Sequence, residues 1–349
     1  MNVSIFIYGI RGGGAERFAT LLANGLCKKG HNVFLFTGPI QENEYQLIPN
    51  VNRVVLCDNQ SFFNNVFALC KCNKRNKIDV CVAIGIWANI IASASRLFSK
   101  TRVVLSERND PKHDKLSLIS KLFRKLLFWR GDVFVFQTPE ARRFYSERIQ
   151  RRGVVIQNPV KDNLPLRGKE TKKEIVAVGR LMPQKNYKLM IEAFAIVRAL
   201  HPDYKLRIFG KGNEYEMLLD YAKETGIADN VVFEGFSNNV HEQIKDSEIY
   251  IMSSDFEGMP NALLEAMAMG FPVISTDCPC GGPGMIINNG QNGLLVPVGD
   301  ANALAKAILN YIDNPDLEAS CSIKASQVRE TNSIKAIIEK WDNLLKKTV

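Results

Sequence analysis

Two glutamates eight positions apart, Glu257 and Glu265, bracket the segment EGMPNALLE. The segment follows an apolar run, EIYIMSS (248–254), and leads into Asn-Ala-Leu-Leu-Glu-Ala-Met-Ala-Met, mostly strong helix formers that stop at Gly270 before Phe-Pro. Pro260 suits the first turn of that helix, where a missing N–H costs nothing. Glu257 therefore belongs on a loop at a strand end, and Glu265 inside the first two helical turns. A helix start offers N–H groups and the positive end of a dipole to a phosphate. A carboxylate on either side of it can accept hydrogen bonds from sugar or ribose hydroxyls. Spacing alone would leave two ordinary surface acids; the flanking strand and helix signals give the pair its weight.

A second cluster follows the run EIVAVG (174–179), where GRLMPQKN supplies Arg180 and Lys185. A strand-end Arg can bridge two phosphate oxygens, and a Lys five residues on adds a point charge. Together they can offset the charge that develops on a departing diphosphate. By spacing alone they could equally be surface cations. A third cluster, Arg11-Gly12-Gly13-Gly14-Ala15-Glu16, joins the first apolar run to an amphipathic stretch. Its glycines allow close backbone approach to a phosphate or sugar, with helix N–H donors behind them. Arg11 breaks a G-x-G-x-x-G pattern, so a dinucleotide site is poorly supported. No D-x-D occurs and the acids show no Mg²⁺ or Mn²⁺ arrangement, so neither a metal nor a cofactor is expected. The eight cysteines, at 27, 57, 70, 72, 81, 278, 280 and 321, form no C-x-x-C pair or zinc spacing and read as reduced thiols in and around the cores.

These clusters need strands and helices to hold them. Short apolar runs at 3–9, 32–38, 80–85, 102–107, 132–138 and 154–158 have the length and β-branched content of buried strands, with amphipathic stretches such as GAERFATLLANGLCKKG between them. That alternation implies parallel strands with crossover helices. It lapses in PVKDNLPLRGKETKK (159–173), a polar linker, and restarts at 174–179, 204–210, 230–235, 248–254, 271–276 and 292–297. The expected fold is α/β with two Rossmann-like doubly wound domains facing across a cleft. The first covers residues 1–163 and the second 164–333, with a C-terminal helix at about 334–349 packing back on the first. Open sheets of this kind bind ligands at the carboxyl ends of their strands.

Charge is uneven across the 349 residues. Residues 1–160 hold 24 Lys and Arg against 11 Asp and Glu, whereas 161–349 hold 21 against 25. The basic half points to a local anionic partner, whether nucleic acid, lipid or a phosphorylated substrate. Residues 112–130, KHDKLSLISKLFRKLLFWR, place Leu116, Ile119, Leu122, Phe123, Leu126 and Leu127 at helical spacing among Lys115, Lys121, Arg124, Lys125 and Arg130. The pattern fits either a helix lying in an anionic membrane interface or a core-facing helix with a solvated basic face. No apolar run reaches the ~20 residues a membrane span requires. VSIFIYGI reads as a strand rather than a signal peptide, and a cytoplasmic location is expected.

With these motifs in place, the sequence resembles glycosyltransferase family 4, over nearly its whole length and most strongly from 174 to 300. The resemblance implies the GT-B architecture, metal-independent transfer from a nucleotide sugar, and retention of anomeric configuration. It also implies that Glu265 binds the ribose, that Glu257 lies by the transferred sugar, and that Arg180 and Lys185 clamp the diphosphate. Gly258, Met259, Pro260 and Asn261 would lie near sugar and diphosphate, with Gly13 and Gly14 contacting the donor. Two positions depart from the pattern. Arg108 stands where relatives often carry a histidine and is a candidate contact for the donor sugar or an acceptor phosphate; His113 reads as a surface residue. Met285 stands where a glutamate is common, so sugar recognition around 279–285 differs. The reading implied is transfer of a hexose or N-acetylhexosamine from a UDP-sugar to a lipid-linked, polyprenyl-diphosphate-borne oligosaccharide in capsule, O-antigen or glycoprotein glycan synthesis. The work would be done at the cytoplasmic face of an inner membrane. A nucleotide-sugar epimerase of the same architecture is the alternative. A nucleic-acid-binding protein lacks recognition-helix, zinc and stacking-aromatic motifs.

Overall fold

A computed structural model describes residues 1–56, 61–108, 110–113 and 117–349; Cys57, Lys115 and Leu116 lie outside the described residues. The chain divides into two compact units, Met1–Pro159 with Ile334–Val349, and Val160–Ser333.

The first unit is built on a parallel sheet in the order β3-β2-β1-β4-β5-β6-β7. Its strands are β1 (Asn2–Phe6), β2 (Asn32–Thr37), β3 (Asn52–Val55), β4 (Val80–Ile84), β5 (Arg102–Ser106), β6 (Val133–Phe136) and β7 (Gly153–Val155). The central strands are covered on both faces, which is why their sequences are nearly unbroken apolar runs. β3 was not foreseen: NRVV is a short edge strand with no residue fully buried, so it lacks that signature. Helix α1 (Gly14–Lys28) follows β1 and turns Phe18, Leu22 and Leu26 inward. The C-terminal helix Ile334–Thr348 joins this same core through Ile337, Ile338, Trp341 and Leu345. Trp341 meets Phe18 at 5.6 Å between ring centroids. A Cβ at Gly25 would sit 2.5 Å from Ile338 Cγ1, so the missing side chain lets the two helices close together. Beneath them His31 Nε2 pairs with the buried Asp342 at 2.8 Å.

The second unit repeats the plan with β8 (Lys172–Val178), β9 (Lys205–Phe209), β10 (Val231–Gly235), β11 (Ser247–Met252), β12 (Val273–Thr276) and β13 (Leu294–Val296), in the order β10-β9-β8-β11-β12-β13. Every strand pair is parallel. Both sheets therefore reverse direction of growth once, between β1 and β4 and between β8 and β11. Loops leaving two such neighbouring strands diverge to opposite faces and leave a crevice between them.

Candidate functional site

The two strands at the reversal point of the second unit deliver the charged residues. From β8, Gly179, Arg180 and Leu181 lead through Pro183–Lys185 into the helix Tyr187–Leu200. From β11, Ser253 to Pro260 lead into the helix Asn261–Met269. Pro260 is the residue just before that helix rather than its first turn, with φ −77° and ψ 103°, and its side chain provides no cap.

The two loops are zipped together. Gln184 Nε2 donates to the Phe256 carbonyl at 2.8 Å, and Asp255 N donates back to the Gln184 carbonyl at 2.9 Å. Asn186 Nδ2 donates to Asp255 at 2.7 Å, and Ser253 Oγ to the Lys185 carbonyl at 2.9 Å. Asn186 takes the left-handed conformation (φ 44°) at this turn while its side chain accepts from Leu189 N. The result brings Lys185 Nζ to 2.6 Å from Glu257 Oε1, and the same oxygen accepts from Ser254 Oγ at 3.1 Å. Both members are largely enclosed, with side chains 17% and 12% exposed. Gly179 makes this reach possible, because a Cβ there would lie 2.8 Å from Tyr187 Oη and 3.2 Å from Lys185 Cε. Burial, and then the Glu257 carboxylate, push the Tyr187 phenol well above its ordinary pKa, so it stays neutral beneath the pair.

Arg180 is exposed, and its guanidinium meets no partner among the described residues. Its backbone is fixed from behind. Leu181 N donates to the Lys211 carbonyl at 3.0 Å, and Glu214 N to the Leu181 carbonyl at 3.2 Å. Gly210 and Gly212 press directly on this stretch, since Cβ atoms there would fall 1.8 Å from the Gly179 carbonyl oxygen and 1.9 Å from that of Leu181. A Gly-x-Gly between a strand and a helix was the signal for this backing loop, and it went unread in the sequence.

Glu265 lies in the second turn of its helix, where Oε2 is 3.0 Å from His241 Nε2. A lone histidine outside any motif gave no warning of this contact. Tyr250 lies buried below, its phenol pushed far up by burial, then by Tyr187, Glu265 and Glu257. Of the intervening residues, Met259 turns its side chain into the core, which leaves only its backbone for a ligand. Gly258 is held by Gly282, where a Cβ would come within 1.7 Å of the Gly258 carbonyl oxygen. Asn261 opens the helix. Met285, beyond that glycine loop, packs against the same core as Met259.

In the first unit, Gly13 caps α1 and Gly14 opens it, with Gly12 at φ 77° and Gly13 N donating to the Arg11 carbonyl at 3.0 Å. Arg108, the candidate contact for a sugar or phosphate, is 7% exposed. Its guanidinium stacks 3.4 Å from the Phe18 ring centroid, and Nη1 donates to Asn158 Oδ1 at 2.8 Å. Nε and Nη2 are buried without a hydrogen-bond partner among the described residues. Burial pushes the Arg108 pKa down to about 9, against the opposing pull of Glu107. His113 Nδ1 pairs with Asp110 at 2.7 Å. Among the described residues, no group of three or more His, Cys, Asp or Glu is placed to hold a metal ion, and no helix is long and apolar enough to cross a membrane.

Sequence models agree with this division of the chain. Residues 12–164 match Glycosyltransferase Family 4, and residues 163–328 match Glycosyl transferases group 1. The chain belongs to glycosyltransferase family 4. The enzyme is 26% identical to an uncharacterized glycosyltransferase of Haemophilus influenzae over 99% of both chains. It is 28% identical, over 93% of each chain, to a Campylobacter jejuni 4-alpha-N-acetylgalactosaminyltransferase whose name specifies a diphospho-undecaprenol-linked saccharide. Its fold matches Anabaena HepE, solved with UDP, at a TM-score of 0.86 and 16% identity over 99% of this chain and all of that one. It also matches the lipopolysaccharide outer core galactosyltransferase WaaB at 0.81 and 19% identity over the full length of both. The glycosyltransferase thus has the GT-B fold, with one Rossmann-like sheet in each unit.

Proposed function

We propose that this glycosyltransferase moves a hexose or N-acetylhexosamine from a UDP-sugar to a lipid-linked oligosaccharide of a bacterial surface glycan, with retention of anomeric configuration. The observation that carries the donor side is the Lys185–Glu257 pair at the sheet's reversal point, on the same loop as an Arg180 whose guanidinium meets no partner among the described residues. In this reading Arg180 and Lys185 take up charge on the departing diphosphate, which is a stabilisation made mainly in the transition state. That cationic pair supplies what a divalent ion would, and the enzyme works without metal. Glu257 holds a hydroxyl of the transferred sugar, and Glu265, steadied by His241, holds the ribose hydroxyls. An oxygen of the departing phosphate takes the acceptor proton on the same face, so no protein base is required. The UDP complexes of HepE and the undecaprenol-linked substrate in the Campylobacter enzyme's name support the donor and acceptor classes. With a polyprenyl-linked acceptor the enzyme works at the cytoplasmic face of an inner membrane, with helix Leu118–Leu127 toward lipid.

The test is UDP release from a panel of UDP-sugars with a bacterial lipid extract, with and without EDTA. The wild-type enzyme should release UDP only with lipid extract and ignore EDTA. Glu265→Ala should raise the donor KM by roughly tenfold or more, the loss of hydrogen bonds from two hydroxyls to a charged group. An unchanged KM for every active donor would remove Glu265 from the donor site.

A further inference from the structure

The first unit carries an apolar surface larger than the helix Leu118–Leu127 alone. Helix α2 (Phe62–Arg75) packs on α3 (Ile86–Ser95), and α3 packs on α4 (Leu118–Leu127). Leu118, Leu122 and Leu126 recur every fourth residue on α4, and all three are more than half exposed. They are therefore one stripe turned away from the core. On α2, Phe63 and Phe67 form a second stripe, also more than half exposed, and Phe98 just beyond α3 is a third such residue. Ring contacts join them. Phe62 stacks on Phe123 of α4 at 5.2 Å and touches Phe63 at 5.5 Å, while Phe67 meets Phe98 at 5.1 Å.

Isolated exposed apolar residues need no explanation, but a joined patch of aromatic and leucine side chains does. The charge around it selects the occupant. Segments 61–78, 86–102 and 117–130 carry four, three and four Lys or Arg and not one Asp or Glu. Arg96 and Arg102 are answered by Asp132 from the adjoining strand. The exposed Lys71 and Lys74 continue the Phe63–Phe67 stripe, and the exposed Lys121 and Lys125 flank the α4 leucines. A protein partner or a second copy of this chain would have to seat apolar rings inside a rim of one sign. A bilayer with anionic headgroups offers both halves at once, acyl chains for the rings and phosphates for the cations.

We infer that α2, the end of α3 and α4 form one docking surface for an anionic membrane, with Phe63, Phe67 and Phe98 inserting beside the α4 leucines. The purpose of this surface rests on the proposed lipid-linked acceptor, but binding itself can be read without any substrate. Full-length protein is floated with vesicles of phosphatidylcholine alone, or of equimolar phosphatidylcholine and phosphatidylglycerol, at low and high salt. Two double variants are compared, L122S/L126S on α4 and F63S/F67S on α2. The wild type should float with the anionic vesicles only, and less so at high salt. Each double variant should lose at least tenfold in affinity while retaining its thermal unfolding midpoint and its transfer to a detergent-solubilised acceptor. Loss in the α4 variant alone overturns the three-element surface. Equal binding to both vesicle types, or no binding, overturns the anionic membrane as partner. Sedimentation velocity that finds a wild-type dimer dispersed by the α2 substitutions assigns the surface to a second copy instead. Vesicle binding without any transfer activity would leave this surface standing and sink the acceptor reading.

Discussion

A double-mutant cycle on Lys185 and Glu257 tests the centre of the proposed donor site. Lys185→Met keeps the aliphatic stem beside Gly179 and removes the charge, and Glu257→Gln keeps an oxygen for Ser254 and for Lys185. Fully exposed ion pairs contribute about 0.2–1 kcal/mol, and stranding one member of a fully buried pair costs about 3–5 kcal/mol. At 17% and 12% side-chain exposure, with a 2.6 Å bond, the pair lies between these limits. A coupling of about 1–2 kcal/mol follows once solvent screening of the exposed part is discounted. For a unit spanning Val160–Ser333, that is a shift of roughly 2–8 °C in the unfolding midpoint. The catalytic effect of Lys185→Met should be far larger, a fall of about 10²–10³ in kcat, as for other groups that meet charge developing in the transition state. Calorimetry and initial-rate UDP release give the two readouts. Additive single effects, within about 0.3 kcal/mol, together with near wild-type kcat in Lys185→Met, would falsify the assignment of this pair to the departing diphosphate.

Two further outcomes follow from the backbone and from titration. Gly210→Ala combines a φ of 150° with a Cβ 1.8 Å from the Gly179 carbonyl oxygen, so ~1–2 kcal/mol of backbone strain adds to ~1–3 kcal/mol of overpacking. Gly12→Ala, at φ 77° with nothing within 4 Å, should show the backbone cost alone; thermal unfolding ranks the two, and donor KM should rise further in Gly210→Ala as Arg180 is displaced. Burial alone would raise the pKa of Asp342, but hydrogen bonds from Lys346 and His31 outweigh it and hold it below the ordinary aspartate value. A depressed folded-state pKa stabilises above the unfolded value of about 3.9 and is lost as pH falls through the folded one. Asp342→Asn should therefore destabilise the first unit at neutral pH and flatten the acid limb of its stability curve; an unchanged acid limb would show that the helix is held by packing alone.

Most strands could be located from the sequence because parallel strands buried on both faces must be apolar throughout, as in VCVAI (80–84) and IYIM (249–252). β3 escaped because an edge strand need not be. Glu257, Glu265, Arg180 and Lys185 stood out because each sits where a strand run gives way to a helix start. The partners that fix them did not stand out. Lys185 and Glu257 are 72 positions apart, and only the reversal of strand order makes β8 and β11 neighbours. His241 reaches Glu265 from the short helix Val240–Ile244, and its distance from any motif hid that role. The packing of Arg108 was hidden for a different reason. Its position beyond β5 marks a cation at a strand end, but Phe18, which offers an aromatic face, and Asn158, which offers an acceptor, are 90 and 50 positions away in the chain, and these hold the guanidinium inside the unit.

The C-terminal helix shapes the order in which this protein can be made. Ile337, Ile338, Trp341 and Leu345 belong to the hydrophobic cluster of the first unit, yet residues 160–333 must leave the ribosome before them. The second unit is contiguous and can close its core while still attached to the growing chain. The first cannot, and Phe18 with its neighbours on α1 stays uncovered until the last turns of helix arrive. During synthesis the earlier half therefore waits for the later one, with a sticky seam exposed for the whole interval. A chaperone acting on this enzyme would find its target on α1.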